Sequence, residues 1–338
     1  MIKVGITGAG SPIAGELIRL LIFHPDVELV QLCQPELAGR DMSDIHHGLL
    51  GEKKLSFSKT LDMEDVDIIF HIASAAPVDL EETERFVNSK EDEDEQSGFV
   101  IFLDSDDKFI GLSSPYYLKC ESKIEEDEEE DKKSSFADMI VYGLPEINRK
   151  PLVRGAKKAV IPSAVETAAL VLLYPFAGEI DIPENLSINI KGAKELIESY
   201  RKSQINIENR LSEVLSNLTE KRINVTLCLE TDETTDRSIQ VSVDVKANVT
   251  IDELRRLVEE EYDDHNMSHL SLKSISYHEV EGTDNCLIEI NHLDGNSYRL
   301  TALADGRLRG GAGEAIHVMN LLAGLYEKTG LHLKASRF

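Results

Sequence analysis

Positive charge is scarce in this 338-residue sequence: 36 Lys and Arg side chains stand against 62 Asp and Glu, a formal net charge of −26. A surface so acidic repels phosphate backbones and anionic lipid headgroups, which argues against nucleic acid and membrane partners. Cysteine is sparse too. Cys33, Cys120, Cys228 and Cys286 lie far apart, with none of the Cys/Cys or Cys/His spacings that hold zinc or iron–sulfur clusters, so they read as reduced thiols. No apolar run reaches membrane-spanning length. The opening MIKVGITGAG enters a strand with no basic segment and no long apolar stretch behind it, and cytoplasmic residence is the expectation. Only 10 prolines, with 41% hydrophobic and 29% charged residues, fit a globular chain long enough for two domains.

Two runs concentrate the acid, EDEDE at 91–95 and EEDEEED at 125–131. They read as solvated insertions, since runs of like charge repel one another and gain nothing by burial. Neither has a calcium-loop pattern.

In the first half, short apolar runs alternate with helical patterns. IKVGIT at 2–7 is followed by a glycine turn and the helical AGELIRLLIFHPD; then come VELVQLC at 27–33, DVDIIFHIA at 65–73 and FVIFLD at 99–104. Continuous apolar strands of this kind predict a parallel sheet covered on both faces. After about residue 180 the pattern changes to period-two alternation: LSINI near 186, RINVTLCLE at 222–230, SIQVSVDV at 238–245, LSLKSISYHEV at 270–280, CLIEINHL at 286–293 and SYRLTALA at 297–304. Alternation with intervening turn residues predicts a largely antiparallel sheet with one exposed face, the other covered by helices at 194–218 and 251–262. Thr250 and Glu253 have capping-box spacing at the start of the second helix.

The turn Gly8-Ala9-Gly10-Ser11-Pro12-Ile13 sits where a dinucleotide fold lets pyrophosphate approach backbone N–H groups at a helix N-terminus. Counted from Gly8, a GxGxxG spacing puts Ile13 in the third glycine's place, and Pro12 removes one N–H donor. Glu36 and Arg40, with Gln34, follow the second strand in the region that meets the adenine ribose; Glu36 favours a free 2′-hydroxyl and Arg40 a 2′-phosphate. His46 and His47 are adjacent imidazoles without a third ligand in view, and no metal site is assigned to them.

Several segments resemble the N-acetyl-gamma-glutamyl-phosphate reductase family in order and wording: VGITGAG with AGELIRLL, HPDVELV at 24–30, AGRDMSDIHHGLLGE at 38–52, YGLPEINRK at 142–150 and GGAGEAIHVMNLLAGLYEKTGL at 310–331. The resemblance thins between about 78 and 138 and again between 175 and 265. It implies an α/β architecture: a Rossmann-like parallel-sheet domain at 1–160, completed by a C-terminal helix in 306–338, plus an α+β semialdehyde-dehydrogenase-like dimerisation or substrate domain at 161–305. It implies NADP(H) as cofactor, with NAD(H) left open by the Glu36/Arg40 pair, and self-association or association with a related reductase.

In that family a cysteine thiolate attacks an acyl phosphate, a nicotinamide cofactor reduces the thioester, and a histidine handles protons. The cysteine motif aligns with Ile161-Pro162-Ser163-Ala164-Val165-Glu166-Thr167, which places Ala164 at the nucleophile; a methyl group forms no covalent intermediate. Ser163 and Glu166 instead have helix-cap spacing. The histidine segment falls on Gln204–Asn209, where no histidine stands, and the glycine-rich substrate loop is reduced to Lys191-Gly192-Ala193-Lys194. The Arg-Gly segments that grip the substrate phosphate have no counterpart in LETDETTDRSIQ. At the nicotinamide side Ala75-Ala76 replace His-Gly, while Arg309 keeps a cation in the Asp305–Gly310 stretch.

Three readings follow. The chain is a catalytically inactive paralogue that keeps the scaffold and NAD(P) binding; or an oxidoreductase passing hydride directly to a carbonyl with Tyr142, His47 or His71 as proton donor; or a reductase that retains the family reaction through another cysteine. No catalytic residue is assigned.

Overall fold

The structure, a computed structural model, describes residues 1–90, 98–104, 109–114, 117–120 and 140–335, giving backbone alone at 109–114 and 117–120. Both acidic runs lie outside the described residues. In chain order the elements begin with β1 (Ile2–Thr7), α1 (Pro12–Leu21), β2 (Val27–Cys33), β3 (Phe57–Ser58), β4 (Ile68–Ile72), α2 (Leu80–Lys90) and β5 (Phe99–Leu103). They continue with β6 (Phe109–Ser114), β7 (Tyr117–Cys120), β8 (Ile140–Tyr142), α3 (Pro145–Val153), β9 (Lys158–Val160), α4 (Ala164–Leu173) and β10 (Asn185–Gly192). The remainder is α5 (Lys194–Thr219), β11 (Asn224–Thr231), β12 (Ser238–Lys246), α6 (Ile251–Glu261), β13 (Ser268–Ser271), β14 (Cys286–His292), β15 (Ser297–Asp305) and α7 (Ala312–Leu322).

Two compact units emerge, one from Met1–Lys108, Glu121–Pro162 and Gly311–His332, the other from Phe109–Cys120, Ser163–Gly310 and Leu333–Phe338. In the first, seven strands run β3-β2-β1-β4-β5-β9-β8, and every pairing among them is parallel. The apolar runs of the sequence explain this: β4 and β5 are almost wholly buried, as strands covered on both faces must be. One covering element is α7, which packs against α1, α3 and β5. It is shorter than the expected 306–338 segment because Gly324, at φ +67°, follows its end in the left-handed conformation that stops helices.

α7 is apolar nearly all round and fully buried, yet it carries Glu314, His317 and Asn320 inward. Asn320 fixes the following loop by donating to the carbonyls of Glu327 and Thr329, and its Oδ1 meets His24 Nε2 at 3.1 Å. His317 lies 3.6 Å from Glu314 Oε1 and 3.4 Å from Glu327 Oε2. Burial alone would lower its pKa, but hydrogen bonds to Glu314 and Glu327, with the field of Glu146, outweigh burial and raise it to about 9. At neutral pH the ring is therefore an imidazolium held among carboxylates.

The second unit is built on a six-stranded sheet ordered β11-β10-β12-β15-β14-β13. Its three central pairings are antiparallel, but β10 with β11 and β13 with β14 are parallel, so the sheet is mixed at its edges. The reason at one edge is α5, a 26-residue crossover helix that returns the chain to the start of the sheet after β10. The strand expected over 270–280 ends at Ser271, whose hydroxyl donates to the Lys273 carbonyl at 2.8 Å and accepts its N–H at 3.2 Å, turning the chain out of the ladder. α4, α5 and α6 pack on the sheet, and the Thr250–Glu253 capping box opens α6 as its spacing indicated.

α5 also closes the edge it creates. Ser216, Ser212 and Glu208, spaced one turn apart, accept the N–H groups of Ile223, Val225 and Leu227, while Gln204 and Arg201 donate to the carbonyls of Leu227 and Leu229. This row of side chains satisfies groups that an open strand edge would expose. No helix among the described residues is long and apolar enough to cross a membrane.

The raised pKa of His317 sets a pH dependence. Its folded value of about 9 lies above the unfolded value near 6.5, so its contribution is complete below pH 6.5 and is lost as pH rises through 9. Urea unfolding at about pH 6 and about pH 10 should show a loss on the order of 3 kcal/mol in the native chain, much reduced in His317→Gln.

Candidate functional site

In the first unit the C-terminal ends of the parallel strands meet at the glycine turn, the position where open α/β sheets bind ligands. Gly8 has φ +74°, and a Cβ there would lie 2.9 Å from the Ile72 carbonyl oxygen, so the turn accepts only glycine. Its amide and that of Ala9 both donate to the Cys33 carbonyl, tying the turn to the end of β2. Ser11 N–H donates to the Gly8 carbonyl, and the Ser11 hydroxyl caps α1 by accepting Ala14 N–H at 3.3 Å. With Pro12 lacking a donor, the amides of Gly10 and Ile13 are those of the turn without a partner among the described residues. They lie at the positive end of α1, where an anion is stabilised.

The third glycine displaced from the GxGxxG spacing has a substitute. A Cβ at Gly15 would lie 2.7 Å from His46 Nδ1, so the close approach that a third glycine permits occurs at Gly15, two positions further on. His46 then reaches the Ala9 carbonyl with Nε2 at 2.8 Å and clamps the turn from outside. His47 points elsewhere, to the Ser43 carbonyl at 3.2 Å. The sequence showed the two imidazoles but not this role, which depends on a contact spanning 37 residues.

Beyond β2, Gln34 Nε2 donates to Glu36 Oε2 at 2.8 Å, and Glu36 is held below the usual carboxylate range by a hydrogen bond from its own backbone and then by Gln34. Arg40 is exposed, its guanidinium 3.5 Å from the Asp44 carbonyl. At the ends of β1 and β4, Thr7 and His71 are register partners, with Thr7 Oγ1 2.7 Å from His71 Nδ1 and the Phe102 ring edge-on at 5.5 Å. Burial lowers the His71 pKa, only partly opposed by the Ala76 backbone, so the ring is neutral at pH 7. Ser74 and Asp104 join the loops after β4 and β5 by a side-chain hydrogen bond. Tyr142 is 1% exposed, its carbonyl accepting Asn148 Nδ2 at 2.6 Å.

In the second unit, Ser163 caps α4 and Glu166 closes the box: Ser163 Oγ donates to Glu166 Oε2 at 2.7 Å and accepts Glu166 N–H at 3.4 Å. Glu166 is fully buried. Desolvation would raise its pKa, but Arg210 overrides this, gripping it with Nε at 2.6 Å and Nη2 at 3.1 Å. Ala164, the first residue of α4, is 1% exposed, and the Gly310 backbone (φ +70°) is packed so close that a Cβ there would lie 2.4 Å from Ala164 Cα. Arg309 is the cation expected at the nicotinamide side. It belongs to the second unit, is fully buried, and sets Nη1 3.9 Å from Asp284 Oδ2 and Nη2 3.4 Å from Ser268 Oγ.

A family model for the semialdehyde dehydrogenase NAD-binding domain matches residues 3–154. The N-acetyl-gamma-glutamyl-phosphate reductase of Parabacteroides distasonis is 30% identical over 100% of both chains. The chain belongs to the N-acetyl-gamma-glutamyl-phosphate reductase family. Family members of that name from Phocaeicola vulgatus and Bacteroides fragilis are each 29% identical, again over 100% of both chains. The fold is also that of aspartate semialdehyde dehydrogenase II from Vibrio cholerae, at TM-score 0.63 and 14% identity over 96% of this chain and 99% of that one. The Candida albicans aspartate semialdehyde dehydrogenase with NADP gives 0.59 at 12% identity, over 96% and 98%.

The segment Gln204–Asn209, where the resemblance places the family's histidine, is an interior stretch of α5, and Gln204 and Glu208 serve the β11 edge. Lys191-Gly192-Ala193-Lys194 passes from β10 into α5 with no loop. Cys33 and Cys286 are buried and Cys228 is exposed on β11; the side chain of Cys120 lies outside the described residues.

The buried ion pair makes a stability prediction. Arg210→Ala strands the Glu166 carboxylate and should cost about 3–5 kcal/mol in urea unfolding. The double variant Glu166→Leu/Arg210→Met should recover most of that loss, because it removes both charges together.

Proposed function

We propose that this chain is a member of the family that binds a nicotinamide dinucleotide at its glycine turn and has lost the reductase chemistry. The observation that carries the reading is Ala164. The residue aligned with the family's nucleophile is a methyl group, buried at the start of α4 with the Gly310 backbone against it. Covalent catalysis needs a nucleophile and a base to activate it. The neighbouring Ser163 has given its hydroxyl hydrogen to Glu166, which is locked to Arg210 and acts as a cap rather than as a base.

The base is missing as well. Asn206, Ile207 and Glu208 stand in the aligned histidine segment, and the helix that contains them is used structurally. Loss of both groups fits a scaffold still in use for binding and association, with itself or with a related reductase, more closely than a displaced active site. The three described cysteines offer no substitute. Cys33 has its thiol pKa pushed up by burial, Cys286 lies within a strand, and exposed Cys228 has a serine hydroxyl rather than a base beside it at 3.6 Å.

The glycine turn fits a dinucleotide. The unpartnered amides of Gly10 and Ile13 would hold the diphosphate, and the absence of a side chain at Gly8 leaves the backbone approachable. A bound nicotinamide cofactor supplies hydride, and in this chain His71, neutral and half-buried, would only line the site. The family resemblance favours NADP(H), while ionised Glu36 favours a free ribose 2′-hydroxyl.

The test is a reductase assay in the oxidative direction, with phosphate and the aldehyde that reduction of N-acetyl-gamma-glutamyl phosphate yields, and with either nicotinamide cofactor. No phosphate-dependent formation of reduced cofactor is expected from the native chain. Ala164→Cys should remain silent, since no imidazole accompanies the new thiol. Turnover by the native chain above the enzyme-free rate would overturn the reading.

A further inference from the structure

The first unit has a second concavity at the end of its sheet away from the glycine turn. Phe99, the first residue of β5, forms part of it, together with Lys157 immediately before β9, α3 and the chain that leaves α7. Its volume is about 690 Å³, within the range of small-molecule sites. The lining combines Arg149 and Lys157 with the apolar surfaces of Phe99, Val153, Leu325 and Tyr326. Val153 is 52% exposed and Tyr326 60% exposed, so this cleft presents apolar surface to solvent.

Its electrostatics run against the rest of the molecule. The chain carries a net charge of −26, yet Arg149, Lys150, Arg154, Lys157 and Lys158 follow one another with no acidic residue among them. Among the described residues Glu327 is the one acid in the lining, and its Oε2 lies 2.9 Å from Arg149 Nη1 and 3.4 Å from His317 Nε2. In the lining itself two cations, Arg149 and Lys157, face one acid, a local excess of positive charge that draws small anions. Arg149, with 40% of its side chain exposed, offers the planar fork that matches a carboxylate. Lys157 Nζ stands 4.4 Å from the centre of the Phe99 ring, so cation and aromatic surface form one wall.

We propose that this cleft is a binding site for a small carboxylate with an apolar or aromatic body, separate from the nucleotide site. The carboxylate meets Arg149 and Lys157, and the body lies against Phe99, Val153 and Tyr326. Because Glu327 shares its Oε2 between Arg149 and His317, a ligand that draws Arg149 away changes the surroundings of His317 inside α7. Occupancy is thereby felt within the helix that packs on α1, the helix following the glycine turn.

Phenylacetate is the probe, with inorganic phosphate as an anion lacking a body and benzyl alcohol as a body lacking charge. Amide resonances of the isotope-labelled full chain are followed during titration. Phenylacetate should shift residues 149–157 and 321–327 saturably, with half-saturation at about millimolar or below, as expected for a ligand of its size. The His317 ring resonances should move with them. Phosphate and benzyl alcohol should leave these residues unmoved.

Arg149→Gln should weaken phenylacetate binding about tenfold or more, the effect of losing one charge-assisted contact. Tyr326→Ala, at an exposed position where folding is not at stake, should weaken it about threefold or more. The proposal is overturned by the absence of saturable shifts, by phosphate acting as well as phenylacetate, or by Tyr326→Ala binding as the native chain does. The last criterion decides the matter if Arg149→Gln does not fold.

Discussion

Glu166 stands in the first turn of α4 with no access to solvent, and its charge has to be balanced where it sits. The positive end of α4 and the Ser163 hydroxyl contribute, but the fork of Arg210 dominates. Much of the second unit follows from that pairing. To bring Arg210 to Glu166, α5 runs unbroken from Lys194 to Thr219, so residues 204–209 are helical and present Gln204 and Glu208 to the edge of β11. A helix in this arrangement cannot at the same time be a loop that offers a proton donor and a substrate-binding glycine run. The ion pair and the sealed sheet edge are parts of one arrangement.

The first unit shows the complementary case, in which old features are supported in new ways. Its glycine turn departs from the usual spacing at Ile13 and loses a donor at Pro12, yet the close packing persists through Gly15 against His46, and His46 secures the turn through the Ala9 carbonyl. Two amides stay available at the start of α1. The helix α7 carries an imidazolium among three glutamates deep in the same unit, an arrangement that binds the C-terminal segment to α3 and the following loop by charge as well as by packing. One unit thus presents a turn able to hold a nucleotide, while in the other Ser163, Glu166, Gln204 and Glu208 have structural partners.

Much of this was legible in the sequence because the relevant signals are local. The apolar run IKVGIT, the glycine turn after it, the alternation of β10 to β12 and the Thr250–Glu253 box each state their conformation within a few residues. So did the Ser163–Glu166 cap, whose spacing is the whole of its geometry. Long-range pairing was not legible. LSLKSISYHEV alternates like a strand, but the Ser271 hydroxyl competes for the backbone at Lys273 and ends it. The parallel edges of the second sheet depend on where α5 returns the chain. Arg309, the cation expected at the nicotinamide side, is enclosed beside Asp284, and of the two adjacent histidines, to which no metal site is assigned, one clamps a turn far away in sequence. The sheet pairing, the enclosure of Arg309 and the His46 contact each turn on a partner more than 20 residues away, to which local pattern is blind, whereas the Ser271 turn is local and overrides the alternation around it.

The central claim is that the scaffold binds while the chemistry is gone, and calorimetric titration of the purified chain with NADH and, separately, NADPH tests it most directly. The account predicts saturable binding of at least one of them at about micromolar strength, the free energy expected when a preformed turn meets a diphosphate. Absence of heat with both, together with an unshifted melting temperature, would contradict it and show that the glycine turn no longer serves a ligand.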